Sequence, residues 1–145
     1  MKILFLDIDG VVNCHNTTQR HRGVIGIDPY MALLVDRIIQ ATGCKVVLSS
    51  TWRLFEESRK EVAKQVCEFI DVTPRLFSGI YAPKERGHEI KQWLDQHPEV
   101  TRYAILDDNS DMLEEQLPNF FKTEWFGDGG LNQEIADRVI AHLNA

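Results

Sequence analysis

Three short apolar runs, KILFL at 2–6, KVVL at 45–48 and YAIL at 103–106, each stop abruptly at a cluster of polar residues. Near-continuous apolar runs of this length read as strands buried on both faces, because a half-exposed strand would alternate apolar with polar residues. Helix-period segments separate them. Residues 28–42 carry Met31, Leu34, Val35, Ile38 and Ile39 at helical spacing, with Asp28 as N-cap, Pro29 in the first turn and Gly43 as the stop. Residues 54–69, 86–96 and 132–143 read as further helices, and 13–26 as a surface loop. Strands alternating with helices predict an α/β domain, a mainly parallel sheet with helices on both faces. Ligands of such sheets bind at the carboxyl ends of the strands, so the three polar clusters belong at one edge.

The 145 residues suit one compact domain over 1–145, and a composition 43% hydrophobic and 26% charged needs neither disorder nor a disulfide framework to explain it. Cys14, Cys44 and Cys67 are odd in number and lie outside any CxxC or Cys/His spacing. They read as reduced thiols, which predicts a cytoplasmic protein. No apolar run is long enough for a membrane span, and the opening run ends in aspartates rather than a cleavage site. The net charge of −6 gives no global attraction to nucleic acid, which leaves only a local patch for that purpose.

The first cluster is Asp7-Ile8-Asp9-Gly10. Two carboxylates at a strand's end repel, and burying them requires a cation or a shared proton. Taken alone, DxDG fits a solvent-facing acidic turn equally well. Asp107-Asp108-Asn109-Ser110-Asp111 follows the third run, and Asp111 also reads as a helix cap. Together the two clusters bring several carboxylates to one sheet edge. Hard oxygen donors without cysteine or histidine suit Mg²⁺ better than zinc. The third cluster, Ser49-Ser50-Thr51-Trp52-Arg53, offers hydroxyls, backbone N–H groups and a guanidinium, the groups that bind phosphate oxygens, or else a polar strand end with a cap. Arg20, His21 and Arg22 form either a contact for a substrate's phosphate backbone or a solvated loop. Trp52, Trp93 and Trp125 read as packing groups, although Trp52 stands beside the phosphate-type cluster, and GDGG at 127–130 reads as a turn.

A strand ending DxDG, a second ending in Ser or Thr, a basic residue before a helix and a last strand ending DD resemble, in this order, the four motifs of the haloacid dehalogenase-like (HAD) superfamily. The resemblance spans nearly the whole chain. DIDGVV, LSSTWR, RGHEIKQWL and AILDD are similar to small HAD domains associated with RNA-repair proteins and to the phosphatase domain of polynucleotide kinase-phosphatases. The resemblance implies a HAD-like Rossmannoid fold without a full cap domain, since neither gap between motifs has residues for one. It implies Asp7 as nucleophile and Asp9 as general acid/base. It also implies Mg²⁺ held by Asp7, the Asp9 carbonyl, Asp107 and Asp108. Ser49, or Ser50 if the register slips, matches the second-motif hydroxyl. Arg53 has a counterpart in some nucleic-acid-end phosphatases. Lys84 and Arg86 compete for the third motif, usually a lysine, and Arg86 is preferred because it opens the helix. The expected substrate is a phosphomonoester, with a nucleic-acid terminus as partner and Arg20, Arg22 and Trp52 as its contacts. Alternatives are a small-molecule nucleotidase, a phosphoacceptor receiver domain, against which the second aspartate of DxD argues, and a non-catalytic binding module.

Overall fold

The computed structural model describes residues 1–78 and 82–145. Strand β1 (Lys2–Leu6) lies at the centre of a five-stranded sheet, between β4 (Lys45–Leu48) and β8 (Arg102–Asp107), with β5 (Asp71–Val72) and β9 (Phe120–Lys122) at the edges. All four pairings are parallel. This is the α/β architecture that the spacing predicts. Side chains of β1 alternate between two cores, as the pleat requires. Leu4 and Leu6 pack beneath α1 (Pro29–Thr42) and α4 (Gln133–Asn144), whereas Ile3 and Phe5 pack with Ile90 and Trp93 of α3 (Arg86–Asp95) on the other face.

Helix α1 begins and ends for local reasons. The Asp28 carboxylate accepts from the Tyr30 and Met31 amides at 2.9 and 3.4 Å, and Gly43, at φ 69°, closes the last turn by donating to the Ile39 carbonyl. The expected helix over 54–69 is divided. A 3-10 turn at Thr51–Leu54 is capped by Ser50, Phe55 is extended, and α2 runs only over Glu56–Gln65. The helix stops early because the chain must return to the sheet, where the Ile70 amide bonds the Val46 carbonyl just before β5.

The expected loop at 13–26 contains a small hairpin of β2 (Arg20–His21) and β3 (Val24–Ile25). Its two turn residues, Arg22 and Gly23, have φ of 50° and 83°, the doubly left-handed geometry that matches strand twist in tight hairpins. Arginine is an unusual residue for that turn, which hid the hairpin in the sequence. The remaining two-residue strands, β6 (Phe77–Ser78) and β7 (Ala82–Pro83), pair antiparallel. Among the described residues no helix is long and apolar enough to cross a membrane. Cys14 and Cys44 are buried and Cys67 half-buried, none in a disulfide, and burial pushes the Cys67 thiol up to about 12.

Candidate active site

Register places the three polar clusters side by side. Leu6 pairs with Leu48 and with Leu106, so Asp7, Ser49 and Asp107 emerge together at the carboxyl ends of β1, β4 and β8. One carboxylate oxygen each from Asp7, Asp107 and Asp108 lie within 4.8 Å of one another, with Asp7 and Asp107 buried. Three anions so close in a poorly solvated place repel strongly. The only guanidinium reaching this cluster among the described residues is that of Arg86, whose Nη1 is 3.2 Å from Asp7 Oδ1 and 2.5 Å from Asp107 Oδ2. Compensation is incomplete. Burial, and then the charge of Asp107, hold the Asp7 carboxyl well above its ordinary range although Arg86 pulls the other way. Burial and then Asp107 also raise Asp108. Burial alone would lower Arg86, but Asp7 and Asp107 overrule it and hold its guanidinium above the usual value. An oxygen-only donor set with unbalanced negative charge fits a hard divalent cation such as Mg²⁺.

The loop that carries Asp7 and Asp9 is held in shape by residues further along the chain. Gly10 has φ 84°, and a Cβ there would run into the Asp108 side chain, so both its backbone and its surroundings demand glycine. Buried Asn13 ties the loop down, accepting from the Gly10 amide at 2.9 Å and donating to the Gly26 carbonyl at 2.8 Å. Thr123, far downstream in the sequence and also buried, donates its hydroxyl to the Gly10 carbonyl. The Asp111 carboxylate does cap a helix, though not the next one in sequence: it accepts from the Arg86 amide at 3.0 Å and so fixes the start of α3. Of the two candidates for the third motif, Arg86 is therefore the one aimed at the carboxylates.

Asp9 stands apart from the oxygen cluster. Its carboxylate accepts from Asn13 Nδ2 at 3.0 Å and from the Trp52 indole N–H at 3.2 and 3.3 Å. Trp52 is buried and its ring stacks on His21, centroids 4.9 Å apart, while His21 Nδ1 lies 3.2 Å from Glu61 Oε2. Of Trp52, expected as a substrate contact, the one polar atom is committed to Asp9.

The other expected phosphate ligands separate. Ser49 is fully buried and its hydroxyl has no hydrogen-bond partner among the described residues, an unsatisfied polar atom beside Asp7. The Ser50 hydroxyl is committed to capping, accepting from the Trp52 amide. Exposed Thr51, the third hydroxyl of the cluster after β4, lines the central pocket of about 550 Å³ with Asp7, Asp9, Arg86 and Trp125. Lys84 lies outside the carboxylate cluster and lines an adjoining cleft of about 180 Å³ with Thr51, Arg75 and Arg86. Arg20 is turned away, its Nη1 bonded to the carbonyls of Thr17 and Gln19, and it lines a different depression; Arg22 is exposed at the hairpin tip.

Arg53, expected as a phosphate ligand, has its donors engaged elsewhere. It is buried, and its guanidinium donates to the carbonyls of Ser49, Ser50, Thr73 and Pro74 and to Glu89 Oε1 at 3.1 Å. Its donors hold the chain after β4 against α3 and leave it structural. Arg53→Met should destabilise the fold by about 3–5 kcal/mol, since it strands the Glu89 carboxylate without its cation. Urea unfolding measures this; a loss below about 1 kcal/mol would count against the structural role.

A search of curated proteins finds no match. The family described as the HAD domain in Swiss Army Knife RNA repair proteins matches residues 3–136. That span takes in β1 with its DxDG turn, the hydroxyl cluster after β4, Arg86 and the paired aspartates after β8, and it exceeds half the chain by far. This chain therefore belongs to that HAD family.

Proposed function

We propose that this domain is a Mg²⁺-dependent phosphomonoesterase that removes phosphate from nucleic-acid ends through an aspartyl-phosphate on Asp7. The observation that carries the reading is the division of labour among the carboxylates. Asp7, Asp107 and Asp108 converge, the first two bonded to Arg86, whereas Asp9, in the same pocket, is held separately by Asn13 and Trp52. Membership of a phosphatase-type hydrolase superfamily supports the reaction class, and the family's description supports an RNA end as substrate.

Bound Mg²⁺, held by Asp7, Asp107 and Asp108, would neutralise the repulsion between the nucleophile and the phosphate. A carboxylate oxygen of Asp7 attacks phosphorus as the bond to the leaving oxygen breaks, and Asp9 gives its proton to that oxygen. Asp9, now a carboxylate, takes a proton from a water whose oxygen attacks the phosphoryl group. Inorganic phosphate leaves and Asp7 is regenerated. The Ser49 hydroxyl, Thr51 and Arg86 orient the non-bridging oxygens, with Lys84 and Arg75 behind them in the basic cleft.

Phosphate release should be measured with Mg²⁺ from 3′- and 5′-phosphorylated oligoribonucleotides, nucleoside monophosphates and glycerol phosphate. Release from an oligoribonucleotide end with the highest kcat/KM is the expected result. A clear preference for the mononucleotide would move the function to a nucleotidase, and no release from any ester would overturn the phosphatase reading.

A further inference from the structure

The surroundings of the carboxylates differ from side to side. On one side lies the basic cleft of Arg75, Lys84 and Arg86. On the other is a groove of about 560 Å³, walled by His21, Arg22 and Val24 of the β2–β3 hairpin and by Trp52, Leu54 and Phe55. Thr51 lines the cleft, the central pocket and the groove alike. Asp9 lines the central pocket and the groove but not the cleft.

That asymmetry orients a substrate. The reacting phosphate is drawn towards the cations. The leaving oxygen must meet Asp9, so the group attached to it extends into the groove. The groove's chemistry then describes that group. Phe55 is 64% exposed and Val24 58% exposed, an unusual outlay of apolar surface beside a polar site and next to the largely buried His21–Trp52 stack. Glu56 and Glu57 also line it, at the start of α2; Lys60, 3.4 and 3.7 Å away, partly offsets their charge and Arg22 lines the same groove, so their carboxylates serve chiefly as acceptors for amino or hydroxyl groups. The occupant is therefore flat, apolar on its faces and bordered by hydrogen-bond donors. The volume lies within the range of small-molecule pockets.

We infer that this groove binds the nucleoside that carries the scissile phosphate, with its base stacked on Phe55; the inference rests on the phosphomonoesterase reading and names the part of the substrate that confers specificity. Stacking on an aromatic side chain is how bases splayed from a single strand are commonly held.

The test compares wild type with Phe55→Ala and Phe55→Tyr on a nucleoside 3′-phosphate and on glycerol 2-phosphate, which has no base. Phe55→Ala should lower kcat/KM for the nucleotide about 5- to 150-fold, the range that loss of one base–aromatic stack implies. It should leave glycerol 2-phosphate within about twofold, and Phe55→Tyr should restore the nucleotide rate. Equal effects on both esters, or none on either, would overturn the proposal. A second measurement needs no chemistry: titration with adenosine, followed by the shift of the Trp52 indole N–H resonance. Wild type should shift saturably and Phe55→Ala should not. Should no ester be hydrolysed, the function above fails while this titration still decides whether the groove takes a nucleoside; a Trp52 signal unmoved by adenosine, or moved equally in both proteins, rules it out.

Discussion

Asp7→Asn should remove phosphate release entirely while leaving the protein folded. Loss of the attacking group in other covalent catalysts lowers kcat by up to about 10⁶-fold, and a similar fall is expected here because no second carboxylate can substitute. Asp107 is held by Arg86 and the Asn109 amide, and Asp9 by Asn13 and Trp52. Asparagine keeps the shape of the side chain and needs no cation to offset it in the crowded cluster, so the variant should be no less stable than metal-free wild type. Single-turnover assays with radiolabelled substrate should show label on wild-type protein after an acid quench and none on Asp7→Asn. Normal turnover by a contamination-free variant would sink the mechanism.

Chelation should have an effect of similar size. EDTA should abolish activity and Mg²⁺ restore it, and the cation should also act on the fold, because it binds a cluster that exists only when β1 and β8 are paired. At a concentration of about 100 Kd it adds about 2.7 kcal/mol of stability, roughly 5–10 °C in Tm for a chain of this size. Asp107→Asn should erase most of that shift. A pH dependence accompanies it. Asp7 keeps its proton in the metal-free folded protein at pH values where the unfolded chain has released it. Metal-free stability therefore falls as pH rises from about 4 through the raised Asp7 value. Mg²⁺ should flatten that decline by favouring the carboxylate. Thermal melts across pH with and without Mg²⁺ test this, and hydrolysis that persists in EDTA would contradict it.

The central strands were legible in the sequence because apolar runs buried on both faces have few other interpretations. KILFL and KVVL match β1 and β4, and YAIL lies within β8. Helix α1 was legible because Asp28, Pro29 and Gly43 each carry a local signal. The hairpin and β9 were not. The first turns on an arginine in an uncommon conformation, and the second is three residues long, recognisable only from its pairing with β8. At the site, sequence order brought Asp7, Asp107 and Asp108 to one edge, and helix position favoured Arg86 over Lys84. Spacing could not reveal that Arg53 is enclosed by four carbonyls and Glu89, or that Asn13, Thr51 and Thr123 serve the loop and the pocket, since such roles depend on chain segments far apart in sequence. Trp52 illustrates the same gap: its neighbourhood was readable, but its bond to Asp9 depends on the orientation of one indole.

The central position of β1, paired on one edge with β4 and on the other with β8, sets a timetable for biosynthesis. Asp7 is translated long before Asp107, and longer still before Thr123, whose hydroxyl closes the loop at Gly10. At about 5–20 residues per second the ribosome needs roughly 5–25 s to cover that stretch. Throughout this interval the nucleophile exists without its neighbours, so the nascent chain is catalytically silent. The edge of β1 that will receive β8 is meanwhile bare, a long-lived invitation to pair with another chain. The same central placement that crowds the carboxylates together thus makes late translation the step at which this protein is most exposed to aggregation.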